Sequence, residues 1–454
     1  MQNIFFQVLD SLILPAIMGM MKKYFYIETY GCQMNFSDSE IIASVLTDEN
    51  FVQTLDPENA SVILLNTCSI RDNAEQKIYN RLKHLKSLKK KNKGLLIGVL
   101  GCMAERVKER FFDEDVVDIV AGPDSYRELP RLIAAAEDTG KAFNIILSNE
   151  ETYADINPVR IDSNGVSAFI SIMRGCQNYC AYCVVPYTRG NERSRPADTI
   201  INEAKGLFDK GYREITLLGQ NVNSYLISDV NFPKLLNKVA QIDKSLRIRF
   251  ATSHPKDLSD ELIDTIASCD NICKAVHLPL QSGSNRILKL MKRNYTRESY
   301  LNIISKIYDK MPGCSISTDI ISGFCSEKEQ DHEDTLEVMK LAAFDSAFMF
   351  KYSERPGTFA ADKYNDDIPG EIKTRRLNEI ISLQNKLSLE KNKKDIGKTF
   401  EVLVEGYSKK TNTQLSGRNS QNKVVVFTDD KHKAGDYVMV KITGCTSATL
   451  KGEI

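Results

Sequence analysis

The sequence predicts an α/β protein in three parts: an N-terminal α/β domain on a parallel sheet, a central partial (β/α)6 barrel, and a small C-terminal antiparallel β-barrel. Short apolar runs alternate with amphipathic segments from about residue 22 to residue 360, which is typical of strand and helix units on a parallel sheet. After Gly397 the apolar residues recur with period two between Gly, Asn and Asp turns, which indicates short antiparallel strands.

Composition limits the class of protein. The 454 residues suffice for several domains, and 60 basic residues balance 60 acidic ones, so any contact with nucleic acid must come from local patches. Eleven scattered cysteines do not form the framework of a small secreted domain, which predicts a reducing, cytoplasmic setting. Residues 1–21 lack a basic leading region, so we expect a disordered extension or a misassigned start, and no membrane segment.

Residues 22–150 are predicted to form the first domain. Its strands are "KYFYIETYG", "SVILLNTCS", "GLLIGVLGC" and "VVDIVAG". Between them lie two helical patterns, "SDSEIIASVLTD" and "NAEQKIYNRLKHLKSLKK", and Ser37 or Asp38 is the expected cap of the first.

Three cysteines of this domain, Cys32, Cys68 and Cys102, each follow the carboxyl end of a predicted strand. Parallel strands joined by right-handed crossovers place these ends along one edge of the sheet, so the thiols should gather there. A single such cysteine is usually a small buried side chain, but the same position at three successive strands favours a metal or cluster site.

Residues 160–392 are predicted to form the second domain. Its six strands are "AFISIMR", "EITLLGQ", "RIRFATS", "AVHLPLQ", "SISTDIISG" and "AFMFKYS", and the chemistry of such barrels lies in the loops at the carboxyl ends. Polar residues follow several of these strands, and each could instead be a helix cap. They are Gly219, Gln220, Asn221, Ser253, His254, Gln281 and Ser282.

The loop after the first of these strands contains Cys176, Cys180 and Cys183 within eight residues. Thiolates bind zinc, iron-sulfur clusters or each other, and no fourth Cys or His lies nearby in the sequence. The spacing can hold three irons of a four-iron cluster and leaves the fourth iron open to a substrate.

Residues 393–454 are predicted to form a five-stranded barrel of the oligonucleotide-binding kind after a charged helical connector. Basic runs that could contact RNA phosphates are "HLKSLKKKNK" and "KRNYTR", and a charge run is more often a solvated helix face. The barrel adds four basic candidates: Lys409, Lys410, Arg418 and Lys423.

The stretch "CQNYCAYC", placed after the first strand of a partial barrel, resembles the cluster-binding signature of radical S-adenosylmethionine enzymes, with Tyr182 as their aromatic residue before the third cysteine. Further motifs are similar to those of the methylthiotransferase family, in its tRNA-2-methylthio-N6-dimethylallyladenosine synthase branch. They are "ETYGCQMN", "NTCSIRDNAEQK", "GCMAER", "LLGQNVNSY", "FATSHP", "HLPLQSGSN" and "STDIISGF". One departure is "GFCSE", where relatives usually carry Pro and Gly at Cys325 and Ser326.

The resemblance implies two 4Fe-4S clusters and S-adenosylmethionine as cofactors. It places the radical cluster on Cys176, Cys180 and Cys183, and the auxiliary, sulfur-supplying cluster on Cys32, Cys68 and Cys102. Gly219, Gln220 and Asn221 would bind the methionine part of the cofactor. Further contacts with cofactor, substrate or phosphate would come from Ser253, His254, Gln281, Ser282, Asp319, Arg189, Arg193 and Arg195.

The implied substrate is N6-isopentenyladenosine at position 37 of tRNA, held in the anticodon stem-loop, with residues 393–454 as a TRAM-like RNA-binding module. The other expected partner is an electron donor such as flavodoxin or ferredoxin, and the chain is expected to be a monomer. Two alternatives remain at this point: a sister methylthiotransferase acting on a ribosomal-protein aspartate, and a non-catalytic RNA-binding redox sensor.

Overall fold

The computed structural model describes residues 22–69, 72–161, 164–409 and 411–454. The chain forms two compact units, one holding residues up to 30 together with 38–146, and the other holding 31–37 together with 147–454. The predictions made for residues 1–21 and for Lys410 lie outside the described residues. Within the described ranges, none of the helices combines the length and apolar character that crossing a bilayer requires.

The first unit contains a parallel six-stranded sheet with the order β2-β1-β3-β4-β5-β6. The four predicted strands are confirmed, and two strands of two and three residues, too short for periodicity to show, extend the sheet at its edges. The strands are β1 Tyr24–Thr29, β2 Val52–Gln53, β3 Val62–Thr67, β4 Leu96–Gly101, β5 Ile119–Ala121 and β6 Ala142–Asn144. Every residue of β3 and β4 is buried, as expected for central strands covered on both faces.

The helices between these strands are α1 Gln33–Asp48, α2 Asp72–Lys91, α3 Cys102–Phe112 and α4 Leu129–Thr139. The predicted cap of α1 is wrong, because the helix begins four residues earlier and Ser37 and Asp38 are buried inside it. The side-chain oxygen of Asn35 accepts the backbone N–H of Cys32 at 3.3 Å, which supplies the helix start one turn before the predicted one.

The predicted six-strand (β/α) unit is confirmed, as two parallel three-stranded sheets with the orders β13-β10-β7 and β14-β15-β16. A single parallel bridge between Ile248 and Ile272 joins them, because β14 is only three residues long. The strands are β7 Ser167–Ser171, β10 Glu214–Leu218, β13 Arg247–Phe250, β14 Ala275–His277, β15 Ser315–Ser322 and β16 Ser346–Lys351. Two short antiparallel pairs, β8 Met173–Arg174 with β9 Arg193–Ser194 and β11 Leu226–Ile227 with β12 Val230–Asn231, lie in the connections.

Helices cover the outer face of these two sheets. The shorter helices α5 Val185–Arg189, α9 Asn285–Leu290 and α12 Phe359–Lys363 lie in the connections. The helices on the outer face are α6 Ala197–Asp209, α7 Phe232–Ala240, α8 Asp260–Ser268, α10 Arg297–Lys310, α11 Glu329–Ala342 and α13 Gly370–Lys393. Alternate strand residues such as Ile215, Ile248 and Ile316 join one apolar cluster with residues of these helices. The intervening strand residues therefore point to the opposite, inner face.

The C-terminal strands form a closed barrel with the order β17-β18-β19-β21-β20. They are β17 Thr399–Ser408, β18 Thr411–Asn419, β19 Val424–Phe427, β20 Tyr437–Cys445 and β21 Thr449–Glu453. The five predicted strands are confirmed, but β19 and β21 run parallel. A closed ring with an odd number of strands cannot alternate direction throughout, so one pair must be parallel.

This barrel packs against the amino-terminal part of the first three-stranded sheet. Arg247 donates from Nη1 to the carbonyl of Arg418 at 2.7 Å, and Arg249 donates from Nη2 to the carbonyl of Asn419 at 2.8 Å. The hydroxyl of Tyr437 donates to the carbonyl of Ser245 at 2.8 Å. Within the second unit, these contacts fix the barrel at the end of the strands away from the polar carboxyl-end loops.

Candidate active site

The loop between β8 and α5 brings Cys176, Cys180 and Cys183 together. Gly175 precedes it with φ of 79°, and a Cβ at this position would lie 1.9 Å from the carbonyl oxygen of Asn191, so only glycine fits. The backbone N–H of Cys183 donates to the carbonyl of Cys180 at 2.9 Å, which closes a tight turn between two of the thiols.

Backbone hydrogen bonds hold the middle of this loop on two sides. The N–H of Ala181 donates to the carbonyl of Met291 at 2.9 Å, and the N–H of Ala360 donates to the carbonyl of Ala181 at 2.7 Å. Met291 directly follows α9, and Ala360 lies within α12. The thiols are thus presented from a loop that the surrounding elements fix, although the loop itself is irregular.

The surroundings of the three sulfur atoms suit metal-bound thiolates. All three cysteines are free, and burial raises the pKa of the Cys176 thiol to about 11 and also raises the pKa of Cys183. Asn178 Nδ2 lies 3.5 Å from the Cys176 sulfur, and Arg293 Nη1 lies 3.3 Å from the Cys180 sulfur, both as donors. Buried thiols that face N–H donors and a cation fit an iron-sulfur cluster, because binding iron deprotonates them.

No group of three or more His, Cys, Asp or Glu side chains among the described residues is arranged to hold a single metal ion. This finding does not argue against a cluster. In a four-iron cluster each thiolate binds a different iron, so the ligands stand farther apart than those of one ion.

Arg293 is a site residue that the sequence did not reveal. Its guanidinium also donates to the hydroxyl of Tyr295 at 3.0 Å and to the carbonyl of Pro279 at 3.2 Å. Burial alone would lower the pKa of Arg293, but the nearby Tyr295, Tyr182 and Cys180 groups raise it, so the cation persists. The interpretation of Arg293 as part of an RNA-contacting run is wrong, because its side chain is buried against Cys180.

The carboxyl ends of the strands carry buried polar atoms that find no hydrogen-bond partner in the described part of the chain. They are both amide atoms of Gln220, Oδ1 of Asn221, Oγ of Ser253 and Oε1 of Gln281. Leaving buried polar atoms unsatisfied costs free energy, so such a row is expected where a polar ligand binds. A ligand with amino, carboxylate and ribose groups, such as S-adenosylmethionine, fits this donor and acceptor set.

Packing and backbone conformation position the residues at this edge. A Cβ at Gly219 would lie 2.5 Å from Cγ of Met173, so a side chain cannot stand there. Gln281 adopts φ of 67°, and its N–H donates to the carbonyl of Asp319 at 2.8 Å. Asn221 Nδ2 donates to Asp257 Oδ2 at 2.8 Å, which orients its free oxygen.

His254 and Ser282 have structural partners. His254 Nδ1 accepts the N–H of Lys256 at 3.2 Å, and burial, followed by the charge of Arg293, lowers the pKa of His254 to about 2. Ser282 Oγ accepts the N–H of Ser284 at 3.2 Å. Both residues thus stabilise local turns, which was the alternative interpretation of these positions.

The three arginines after the cluster loop are buried. Arg193 donates from Nη1 to the carbonyl of Ser148 at 2.7 Å and from Nε to the carbonyl of Glu151 at 3.1 Å. Arg195 forms an ion pair with Glu203, and Arg189 is 3 % exposed. The role of Arg193 in cofactor binding stays a prediction, since its contacts here hold the segment 148–151.

In the first unit, Cys68 and Cys102 directly follow the register pair Thr67 and Gly101 of neighbouring strands β3 and β4. Both cysteines are buried, and Ser69 Oγ donates to the carbonyl of Cys102 at 3.1 Å. Strand β1, which precedes Cys32, is the other neighbour of β3. The strand order thus agrees with the expected row of ends, while the common ligand set stays a prediction.

Of the basic barrel residues, Lys423 pairs with Asp395 at 2.7 Å and with Asp345 at 3.2 Å, and it is largely buried. Arg418 pairs with Glu405 at 3.1 Å. Lys409 is exposed. Two of the described candidates for RNA contact therefore stabilise the protein.

The fold and the thiol loop define the class of protein as a radical S-adenosylmethionine enzyme. The chain matches the Radical SAM superfamily over residues 170–339, the Uncharacterized protein family UPF0004 over 24–122 and the TRAM domain over 393–454. It is 57 % identical over 436 residues to the tRNA-2-methylthio-N(6)-dimethylallyladenosine synthase of Bacteroides fragilis (strain NCTC 9343), which covers 95 % of both chains. The chain belongs to this family of synthases, as its motifs predicted.

Other relatives agree. The synthase of Phocaeicola vulgatus is 57 % identical over 438 residues, with coverage of 95 % of this chain and 96 % of the relative. Among solved structures, the radical S-adenosylmethionine methyltransferase TsrM from Kitasatospora setae is similar with a TM-score of 0.57, 13 % identity and coverage of 75 % of both chains. At that identity the likeness concerns the fold, and it confirms the predicted α/β architecture.

Proposed function

We propose that this chain is the tRNA methylthiotransferase that converts N6-isopentenyladenosine at position 37 to its 2-methylthio derivative. The observation that carries the proposal is 57 % identity to synthases of this name over 95 % of the chain. Carbon 2 of adenine carries an unactivated hydrogen that no side-chain acid or base can remove. The reaction therefore needs a radical cofactor, and the protein supplies binding and orientation.

Cys176, Cys180 and Cys183 are proposed to hold the radical 4Fe-4S cluster, which with S-adenosylmethionine supplies the radical that breaks the C–H bond. The fixed loop positions the thiols, and Arg293 places a permanent positive charge at the Cys180 sulfur. Cys176 and Cys180 are buried and Cys183 is partly buried, which limits the contact of their sulfur atoms with water.

S-adenosylmethionine is proposed to bind the unsatisfied groups at the strand ends, next to Gly219, whose missing side chain leaves room for Met173. Gln220, Asn221, Ser253 and Gln281 offer oxygen and nitrogen atoms that a charged, polar cofactor can satisfy. By resemblance, Arg193 is proposed as a further cofactor-binding residue, and it also holds the segment 148–151.

Cys32, Cys68 and Cys102 are proposed to hold the auxiliary 4Fe-4S cluster that supplies sulfur. The order β1-β3-β4 and the burial of Cys68 and Cys102 support this ligand set.

The anticodon stem-loop of tRNA is the proposed macromolecular substrate, because the adenosine lies in a loop and can leave the stack at modest cost. Residues 393–454, which match the TRAM domain, are proposed to contribute backbone contacts to this RNA. We further propose a monomeric, cytoplasmic enzyme reduced by flavodoxin or ferredoxin.

The test combines cofactor counting with product analysis. Anaerobically reconstituted protein should bind about eight irons, and replacing either cysteine trio with alanine should remove about four. With reductant, S-adenosylmethionine and isopentenylated tRNA, digests should contain the methylthio nucleoside. A gain of mass only on a ribosomal protein would favour the sister enzyme, and absence of 5′-deoxyadenosine would favour a redox sensor.

A further inference from the structure

The inner face of the second three-stranded sheet carries aromatic side chains where a packed interior is expected. In β16, Ala347 and Met349 pack against the apolar cluster shared with the helices, so Phe348 and Phe350 point to the inner face. Phe348 is 54 % exposed and Phe350 is 39 % exposed. Inner positions of (β/α) barrels are normally filled by apolar side chains, so these exposed rings mark an open space inside the partial barrel.

A polar group lies beside these rings. In β15, Ile316 and Ile320 join the same apolar cluster, which turns Asp319 and Ile321 to the inner face. The register pairs Asp319 with Phe348 and Ile321 with Phe350. The Asp319 carboxylate is partly accessible, with 27 % of its side chain exposed, so a bound molecule can reach it.

His277 of β14 fixes this polar group. Its Nδ1 lies 3.0 Å from Ser317 Oγ, its Nε2 lies 3.4 Å from Asp319 Oδ2, and its ring meets that of Phe348 edge to face at 5.9 Å. A carboxylate acceptor and an aromatic wall are thus held at fixed positions on adjacent strands.

The location fits a base that enters from outside. Strand β16 is the edge of its sheet, and Phe348 and His277 line a cavity that α13 and the C-terminal barrel also line, through residues such as Gln384 and Arg418. On the other side, the carbonyl of Asp319 accepts the N–H of Gln281, one of the residues with an unsatisfied amide oxygen. The row from Phe348 through Asp319 to Gln281 therefore runs from this cavity to the proposed cofactor site.

We propose that Phe348, Phe350 and Asp319 form the subsite for an adenine that carries an apolar N6 substituent. Asp319 accepts a hydrogen bond from the N6–H, and the two phenylalanine rings contact the isopentenyl group and the base. The inference rests on the proposed function and specifies how the chain selects isopentenylated RNA over unmodified RNA. A single apolar contact of this kind discriminates substrates by about 10–200-fold.

The test compares anticodon stem-loops with and without the isopentenyl group, using the full chain and the variants F348A and F348L. Wild-type protein should bind the isopentenylated RNA more tightly, and F348A should reduce this preference about tenfold or more, whereas F348L should keep most of it. Leu226, which is 61 % exposed on a different strand pair, provides the control variant L226A, whose preference should match that of the wild type.

S-adenosylmethionine also contains adenine, so kinetic measurements must show whether the RNA base or the cofactor occupies the subsite. F348A should lower kcat/KM for isopentenylated RNA and leave the KM for S-adenosylmethionine unchanged in the RNA-free 5′-deoxyadenosine assay. A raised KM for the cofactor, or an unchanged RNA preference, would overturn the subsite. If wild-type protein modifies neither RNA, the proposed function itself fails. If wild-type protein modifies the isopentenylated RNA and F348A keeps the full preference for it, only the subsite fails.

Discussion

Arg293 is expected to raise the reduction potential of the radical cluster. Its guanidinium donates to the Cys180 sulfur at 3.3 Å, and its pKa lies well above the ordinary value, so the contact keeps its charge at all working pH values. Reduction adds one negative charge to the cluster, and a nearby cation stabilises the reduced state more than the oxidised state. Replacing Arg293 with methionine removes this preference.

The magnitude follows from the single contact. A hydrogen bond to a charged group contributes about 1.5–3 kcal/mol, and if about half of it distinguishes the two oxidation states, the difference is about 0.7–1.5 kcal/mol. For a one-electron couple this corresponds to a potential about 30–60 mV more negative in R293M. The lysine variant R293K keeps the charge without the planar donor pair, so its shift should be smaller.

The assay is an anaerobic redox titration in which electron paramagnetic resonance follows the reduced cluster. The auxiliary cluster of the same protein is the internal control, and its potential should not move if Cys32, Cys68 and Cys102 are its ligands. Equal potentials in wild type and R293M, or a positive shift, would refute the electrostatic reasoning.

Three further predictions concern stability. R249M leaves Glu214 buried without its 2.7 Å partner and should cost about 3–5 kcal/mol. R249M/E214Q should recover only part of this loss, because the hydrogen bond from Arg249 to the carbonyl of Asn419 stays missing; additive losses in urea unfolding would contradict this. His254 stays neutral in the folded chain but protonates below pH 6.5 in the unfolded chain, so the folded state should lose about 1.4 kcal/mol of stability per pH unit below that point. The control H254N keeps an acceptor for the N–H of Lys256 and should not show this loss; the same pH dependence of stability in both proteins would refute the prediction. Ser326 has φ of 59°, so S326G should raise the free energy of unfolding by about 0.5 kcal/mol, although it loses the 3.2 Å contact of the Ser326 hydroxyl with Arg286. A lower melting temperature of S326G would refute this prediction.

The main strands were predictable because buried parallel strands are continuous apolar runs, as in β3 and β4. The two edge strands β2 and β6 were not, since two or three residues carry no periodicity. The start of α1 was misplaced because Ser37 and Asp38 look like caps, whereas Tyr126 donates to the buried Asp38 carboxylate at 3.3 Å. Asp38 thus serves a contact with a residue 88 positions away in the sequence, and it does not cap the helix.

The candidate site was predictable only where residues act through local spacing. Cys176, Cys180 and Cys183 lie in one loop, so their spacing alone indicates the chemistry. Arg293 reaches Cys180 from 113 residues away and stands among exposed basic residues, so no local pattern separates it from a solvated charge run. The departure at Ser326 was visible in the sequence, and its left-handed φ is a conformation that favours the glycine that the resemblance led us to expect there.

The inner face of the two sheets carries charged, polar and exposed aromatic side chains, so apolar layers do not fill this barrel. At the amino-terminal ends, Arg249 pairs with Glu214 and holds the C-terminal barrel, so charge there serves domain attachment. At the carboxyl ends, Ser253 and Gln281 carry unsatisfied atoms that suit a cofactor. Between these levels the exposed ring of Phe348 leaves room for a third component. Because the six strands do not close into a ring, β16 is an edge strand, and the cavity beside Phe348 can admit that component, which the packed interior of a closed barrel of eight strands could not.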